Sequence, residues 1–216
     1  MNDGTVRVCG YNGTGQLGQN DLTNRSTVVS VLGISSQAIA VACGTNHTVI
    51  LMNDGTVRVC GRNNFGQLGQ NNLTNQLTIV PVLGISSQAI AVACGQYHTS
   101  ILMSDGTVRV CGLNNRGQLG QNDLSTRSTV VSVLGISTAA VAIACGGYTT
   151  SILMSDGTVR TVGYNQYGQL GQNDVSTRST VVTVVLGMPT SAVLIAPALN
   201  LGPVPVTSFQ LDMSTD

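Results

Sequence analysis

The chain has 216 residues, with nine Arg, nine Asp and neither Lys nor Glu, so its formal net charge is zero. Charged residues make up 8% of it, against roughly 25% in an average globular protein. With no basic cluster there is no electrostatic footprint for nucleic acid, and no run approaches the roughly 18 uninterrupted apolar residues of a membrane-spanning helix. A hydrophobic content of 42% supports a packed core rather than a disordered chain.

Asp-Gly recurs at Asp3, Asp54, Asp105 and Asp156, a step of 51 each time, and Gln-Leu-Gly keeps that step at Gln16, Gln67, Gln118 and Gln169. Residues 3–53 and 54–104 differ at 12 positions. A period of this size means that each unit is one supersecondary element stacked on its neighbours. The units run over 3–53, 54–104, 105–155 and 156–196. Residues 1–196 form the repeat region, and 197–216 form a tail with Pro203 and Pro205.

In chain order, each unit reads as β structure. Thr27–Leu32 is a β-branched run stopped by Gly33, and Ala38–Ala42 is another, ended by Cys43-Gly44. Thr48–Leu51 and Thr56–Cys60 flank Asp54-Gly55, and a DG turn between two apolar runs predicts a hairpin. That gives about four short strands per unit, the content of one propeller blade. No segment carries a sustained 3.6-residue apolar period, and Gly interrupts every long run.

The pattern Ala42-Cys-Gly-x-x-His47-Thr-x-x-Leu51-x-x-Asp54-Gly-x-Val57-x-x-x-Gly61-x-Asn63-x-x-Gly66-Gln-Leu-Gly69 resembles the regulator of chromosome condensation repeat. The resemblance covers about residues 3–196 in four copies and implies an all-β propeller. Rings of that family usually have seven blades. Four blades of about 51 residues imply either a small closed ring or an open arc completed by another chain. One branch of the family exchanges nucleotide on the small GTPase Ran. Another, similar in fold, includes secreted inhibitors of β-lactamases that bind through propeller loops.

Residues able to carry chemistry are few. Gly13-Thr-Gly15-Gln-Leu-Gly18 matches a dinucleotide fingerprint, but a turn-rich segment follows where that site needs a helix. Gly15 and Gly18 are therefore expected at positive-φ turns. His47 and His98 are expected to bond within their own loops, with no ligand spacing around them. Each Asp of a DG pair reads as a turn residue. No cofactor, metal site or catalytic group is expected, and the chain reads as non-enzymatic.

Six cysteines form two series, 9, 60, 111 and 43, 94, 145, which both stop together at Val162 and Ala196. Paired loss is what cross-links Cys9–Cys43, Cys60–Cys94 and Cys111–Cys145 would leave; six buried packing thiols are the alternative. Sequons at Asn12, Asn24, Asn46 and Asn72 are glycan acceptors if the protein is exported from a eukaryotic host.

The copies differ mainly in two loops, 11–14 and 45–46 with their equivalents. Six of the seven aromatic residues lie there. Tyr11, Arg62, Phe65, Tyr97, Arg116, Tyr148, Tyr164 and Tyr167 are thus the predicted partner-binding set, since aromatics and Arg dominate interface energetics. The N-terminus is polar and carries no signal-peptide pattern. The first hairpin lacks its leading strand, while Ala192–Ala196 begins a fifth copy. The assembly residues are therefore Thr5, Val6 and Val8 at one end and Val206, Phe209 and Leu211 at the other. Composition and repeat together predict a structural or protein-binding propeller that is extracellular, surface- or virion-associated. It is expected to self-assemble through its ends, with protein, first of all a second copy, as partner. The alternative is a regulator or inhibitor of another protein, such as a GTPase.

Overall fold

The computed structural model of the protein describes residues 4–34, 37–85, 87–136 and 139–185. The unit pattern becomes fourteen strands, with no helix among the described residues. They are β1 (Arg7–Gly10), β2 (Arg25–Ser30), β3 (Ala38–Cys43), β4 (His47–Met52), β5 (Val57–Gly61), β6 (Gln76–Pro81) and β7 (Ala89–Cys94). Then come β8 (His98–Met103), β9 (Val108–Gly112), β10 (Arg127–Ser132), β11 (Ala140–Cys145), β12 (Thr149–Met154), β13 (Val159–Gly163) and β14 (Arg178–Thr183). All pairings are antiparallel between consecutive strands, giving three four-stranded meanders, β3–β6, β7–β10 and β11–β14, and a two-stranded sheet, β1–β2.

Each meander is a propeller blade. β7 packs against β3 on one side and β11 on the other. These innermost strands line a shared concavity of about 470 Å³ from Ile39–Cys43, Ile90–Cys94 and Val141–Cys145. By period, β1 and β2 correspond to the outer strands β5 and β6, so the first sheet is the outer half of a blade. The described sheets form an open arc. A blade does not coincide with a sequence unit. The first blade spans 38–81 and takes its inner strands from one 51-residue unit and its outer strands from the next. Adjacent units are thereby stapled by β-ladder hydrogen bonds.

The core lies between blades. Val49, Leu51, Val57, Val59 and Leu68 of the first blade meet Ile101 and Met103 of the second. Leu102, Val108, Val110 and Leu119 meet Ile143, Ile152 and Met154 of the third. Val6 and Val31 pack on Ile50 and Met52 at the N-terminal end. Each such buried side chain is worth about 1.5–3 kcal/mol relative to exposure, so sheet stacking supplies most of the cohesion.

Close approach between blades dictates Gly15, Gly66 and Gly117, one position in each long loop that has a described blade after it. Gly66 has φ 75°, and a Cβ there would lie 2.3 Å from Ser128 Cα in the next blade. The neighbouring Asn71 also takes a left-handed conformation, φ 56°. Its amide donates to Ser128 O at 2.9 Å.

The histidines complete the inter-blade seam, and their partners correct the expectation of a loop-internal bond. His47 Nε2 lies 3.1 Å from Thr99 Oγ1, and His98 Nε2 lies 3.1 Å from Thr150 Oγ1, each in the following blade. Thr99 Oγ1 donates to Gln67 O at 2.7 Å, so its oxygen accepts from a protonated His47 Nε2. His47 Nδ1 is then the unprotonated nitrogen, buried with no partner. Burial pushes His47 down to about 3 and His98 down to about 4.

Two predictions follow from this seam. Gly66→Ala and Gly84→Ala both place Ala at a left-handed φ, costing about 1–2 kcal/mol. Gly84 faces open space whereas Gly66 faces backbone, so in urea titration Gly66→Ala is the more destabilised of the two. As for pH, the unfolded imidazoles titrate near 6.5 and the folded ones well below. Between those values the unfolded state binds more protons, so stability is full above pH 6.5 and falls as pH drops towards 4. The slope is about 1.4 kcal/mol per pH unit for each histidine. His47→Gln and His98→Gln should each remove one proton from that slope.

Candidate protein-binding rim

The two variable loops emerge at the same end of each blade. The β3–β4 connection and the long β5–β6 connection lie at one end, and the Asp-Gly hairpins at the other. At the hairpin end, Asp54 Oδ1 accepts from the Thr56 amide at 2.9 Å and its hydroxyl at 2.7 Å. Those bonds hold the Asp54 carboxyl below the usual range, as a turn residue. The fingerprint-like glycines are turn residues too, Gly15 at φ 85° and Gly18 at φ 63°.

The long loop is held from beneath by two amides present in every copy, an Asn that is always buried and a Gln that is buried in all but the last copy, where Gln169 is exposed. Asn63 is fully buried. Its Oδ1 accepts from Leu68 N at 2.9 Å, and its Nδ2 donates to Asn72 O at 3.0 Å. Gln67 Oε1 accepts from Phe65 N at 3.0 Å. Asn12, Asn114 and Asn165 repeat the first clamp, and Gln16, Gln118 and Gln169 the second. Sequence reasoning used Gln16, Gln67, Gln118, Gln169 and Asn63 as repeat landmarks but gave them no structural role, although their identity in all four copies was a usable signal. The clamp also corrects the sequon expectation, because Asn12 is fully buried, with its side chain bonded to Asp21, and cannot carry a glycan. Asn24 and Asn72 are exposed and Asn46 is half-buried.

Between the clamps, the varied side chains project and meet across blades. Phe65 of the first blade packs against Tyr97 of the second in a tilted pair, centroids 5.2 Å apart and planes at 58°. Arg62 lies over both rings, at 5.6 and 5.4 Å. In the third blade Tyr164 sits 6.4 Å from Tyr148 and 6.1 Å from Tyr167, and Arg116 of the second blade lies over Tyr164 at 5.2 Å. Tyr11 stands apart and folds over Gly13, where a Cβ would meet its hydroxyl. None of the eight is buried, and Tyr167 and Tyr11 are 86% and 59% exposed. Among the described residues the ion pairs are Asp21–Arg25, Asp123–Arg127 and Asp174–Arg178, and neither Arg62 nor Arg116 joins one.

The cysteines do not form the cross-links that their paired loss suggested, and all six are free thiols. Cys60 and Cys111 Sγ donate to Gln16 O and Gln67 O at 3.4 Å, and Cys145 Sγ to Ser100 Oγ at 3.2 Å. These thiols are thus turned towards carbonyl and hydroxyl partners rather than each other. Burial pushes Cys60 and Cys111 up to about 12. Of the assembly residues, Val6 is buried and Val8 half-buried, next to Thr5. Val206, Phe209 and Leu211 lie outside the described residues.

Comparison with known proteins places this architecture. Two models described as "Regulator of chromosome condensation (RCC1) repeat" match residues 3–51 and 54–102, and residues 38–67, 89–118 and 140–169. The chain is 36% identical over 182 residues, 81% of its length, to the rat probable E3 ubiquitin-protein ligase HERC4. It is 33% identical over 137 residues, 62% of its length, to the Caenorhabditis elegans X-linked retinitis pigmentosa GTPase regulator homolog. It spans 17% and 10% of those two proteins. Among solved structures it is similar to human WBSCR16, with TM-score 0.72, 25% identity, and 82% of this chain covering 46% of that one. Prp20p from Saccharomyces cerevisiae shares the fold, with TM-score 0.73 at 17% identity, 85% of this chain covering 47% of that one. The chain belongs to the regulator of chromosome condensation (RCC1) repeat family.

Proposed function

We propose that this chain is a non-catalytic protein-binding module that recognises its partner through the aromatic and arginine rim. The observation that carries this reading is the gathering of six aromatics and two unpaired Arg at one end of the blades, on loops clamped by constant Asn and Gln amides. Exposed aromatic pairs and cation–π contacts are each worth about 0.5–1 kcal/mol. They hold long side chains in place before binding, which lowers the ordering cost. Two guanidinium groups without carboxylate partners, beside flat apolar rings, suit a partner segment that mixes carboxylates with apolar side chains. The charge-poor, Gly- and Thr-rich composition supports an extracellular or surface setting.

A second reading, regulation of a GTPase or another enzyme, is favoured by the identity to a GTPase regulator homolog. It would use the same rim, and a nucleotide-release assay on candidate GTPases separates the two.

The test is selection of binding segments from a displayed peptide library on the immobilised full chain. Binders should be enriched in acidic and aromatic residues. Tyr97→Ala or Tyr148→Ala should weaken them about 30-fold, equivalent to about 2 kcal/mol, with the thermal midpoint unchanged. Binders insensitive to both substitutions would overturn the rim.

A further inference from the structure

We infer that copies of this chain stack along the propeller axis, with the Asp-Gly turns of one copy seated on the aromatic and arginine rim of the next. The inference rests on the rim reading above and names the rim's partner as a second copy.

The rim side offers two equivalent receiving points, one at each seam between four-stranded blades. Arg62 lies over Phe65 and Tyr97 at the first, and Arg116 over Tyr164 at the second. Each belongs to a loop with a buried amide donor beneath it. In the first copy Gln16 Nε2 donates to Asn46 Oδ1 at 3.4 Å. The next two copies have Tyr97 and Tyr148 at that position, and the acceptor goes with the exchange. Gln67 Nε2 and Gln118 Nε2 are buried without a partner, and both residues are 1% exposed. Their Oε1 atoms accept from the Phe65 and Arg116 amides at 3.0 and 2.8 Å, which fixes the orientation of each side chain. A buried donor left unmatched is costly, and beside a guanidinium the acceptor that suits it is a carboxylate.

The opposite side of the same blades carries carboxylates at the same interval. Asp54 and Asp105 are exposed in the β4–β5 and β8–β9 turns, one blade apart. Hydrogen bonds from Thr56 and Thr107 hold both carboxyls below the usual range, so both are charged at neutral pH. Those bonds use Oδ1. Oδ2 is the oxygen left to a partner, shared at Asp105 with the Ser87 hydroxyl at 3.3 Å. Arg58 and Arg109 on the strands that follow are half-buried, and neither joins an ion pair among the described residues. The connections after β6 and β10 return to this side, and Leu83 and Leu134 stand exposed on them. The turn side thus mixes carboxylates with apolar side chains, the chemistry that the rim suits.

The repeat makes the two sides fit. Receiving points and turns both recur by one blade-to-blade step, so a second copy set end-on in the same sense brings two turns over two seams together. The second contact is then intramolecular and adds avidity to the first. Because rim and turns face opposite ways, the contact is head-to-tail and runs on from copy to copy rather than closing.

The test is the mass of the full chain by analytical ultracentrifugation. The unaltered protein should pass from one chain to two and more as its concentration rises. It should return to one chain in about 1 M salt, where the Debye length is about 3 Å. The double variant Asp54→Asn with Asp105→Asn keeps the oxygen that holds each turn but loses the charge, and Arg62→Gln with Arg116→Gln removes the guanidinium groups. Each should stay at one chain where the unaltered protein associates. Mixed in equal amounts, the two should give a species of two chains and nothing longer, because one intact rim meets one intact set of turns. One-chain mass for the unaltered protein at every concentration, a double variant that associates as the unaltered protein does, or a mixture left at one chain would overturn the stacking. Peptides that bind the rim of copies which stay apart overturn the stacking alone, whereas peptides insensitive to the rim substitutions overturn the rim reading beneath it.

Discussion

A threonine hydroxyl donated into a carbonyl of the preceding sheet sets the pitch of the arc. Thr48, Thr99 and Thr150 reach Gln16 O, Gln67 O and Gln118 O at 2.7, 2.7 and 2.8 Å, all buried. Any wider opening between blades would strand a buried donor and acceptor, at about 1–3 kcal/mol for each group. The histidine seam adds a second bond to the same oxygen in two of the three places. Thr149 stands where the third histidine would be, so the seam ends at the last described blade. Apolar stacking supplies the cohesion but is non-directional; the hydroxyl fixes how far one blade turns from the next.

The same glutamine also governs the rim. Its backbone carbonyl takes the next blade's threonine, while its side-chain carbonyl holds the amide at position 65 or its equivalent. Blade pitch and rim geometry are therefore coupled through one residue per repeat. The side chains at positions 62, 64 and 65 and their equivalents are not needed for that coupling, although in the first copy Thr14 Oγ1 adds a bond to Gln16 Oε1 at 2.8 Å. They can vary without disturbing the seam, which accounts for Arg62, Leu113 and Tyr164 occupying equivalent places on one backbone. The constant buried Asn and its varied neighbour are two aspects of one design.

Much of the fold was legible because its signals are local. The Asp-Gly turns, the β-branched runs and the Gly stops gave strands close to those observed. The predicted 48–51 became His47–Met52, and 56–60 became Val57–Gly61. What escaped were relations between units. A period of 51 has no intrinsic origin, so the sequence could not show that a sheet starts at Ala38 rather than Asp3. His47 reaches Thr99, 52 residues away, one more than the period. Within a single unit it looks like a residue without a partner. The cysteine pairing failed for a related reason. Spacing gives neighbourhood but not side-chain direction, and Cys60 points to a carbonyl rather than to another thiol.

The rim illustrates the reverse case, in which variation between copies found residues that packing alone would not reveal. The varied loops are far apart within a unit, at 11–14 and 45–46 of the first copy, and the sequence offers no reason to join them. The antiparallel meander joins them, because connections after odd and even strands fall at opposite ends of a blade. The blade-to-blade step then carries Phe65 onto Tyr97 and Arg116 onto Tyr164. Both stacks straddle a seam, so each is as rigid as the hydroxyl bond beneath it. A partner that spans two stacks therefore reads the pitch of the propeller as well as the identity of its side chains.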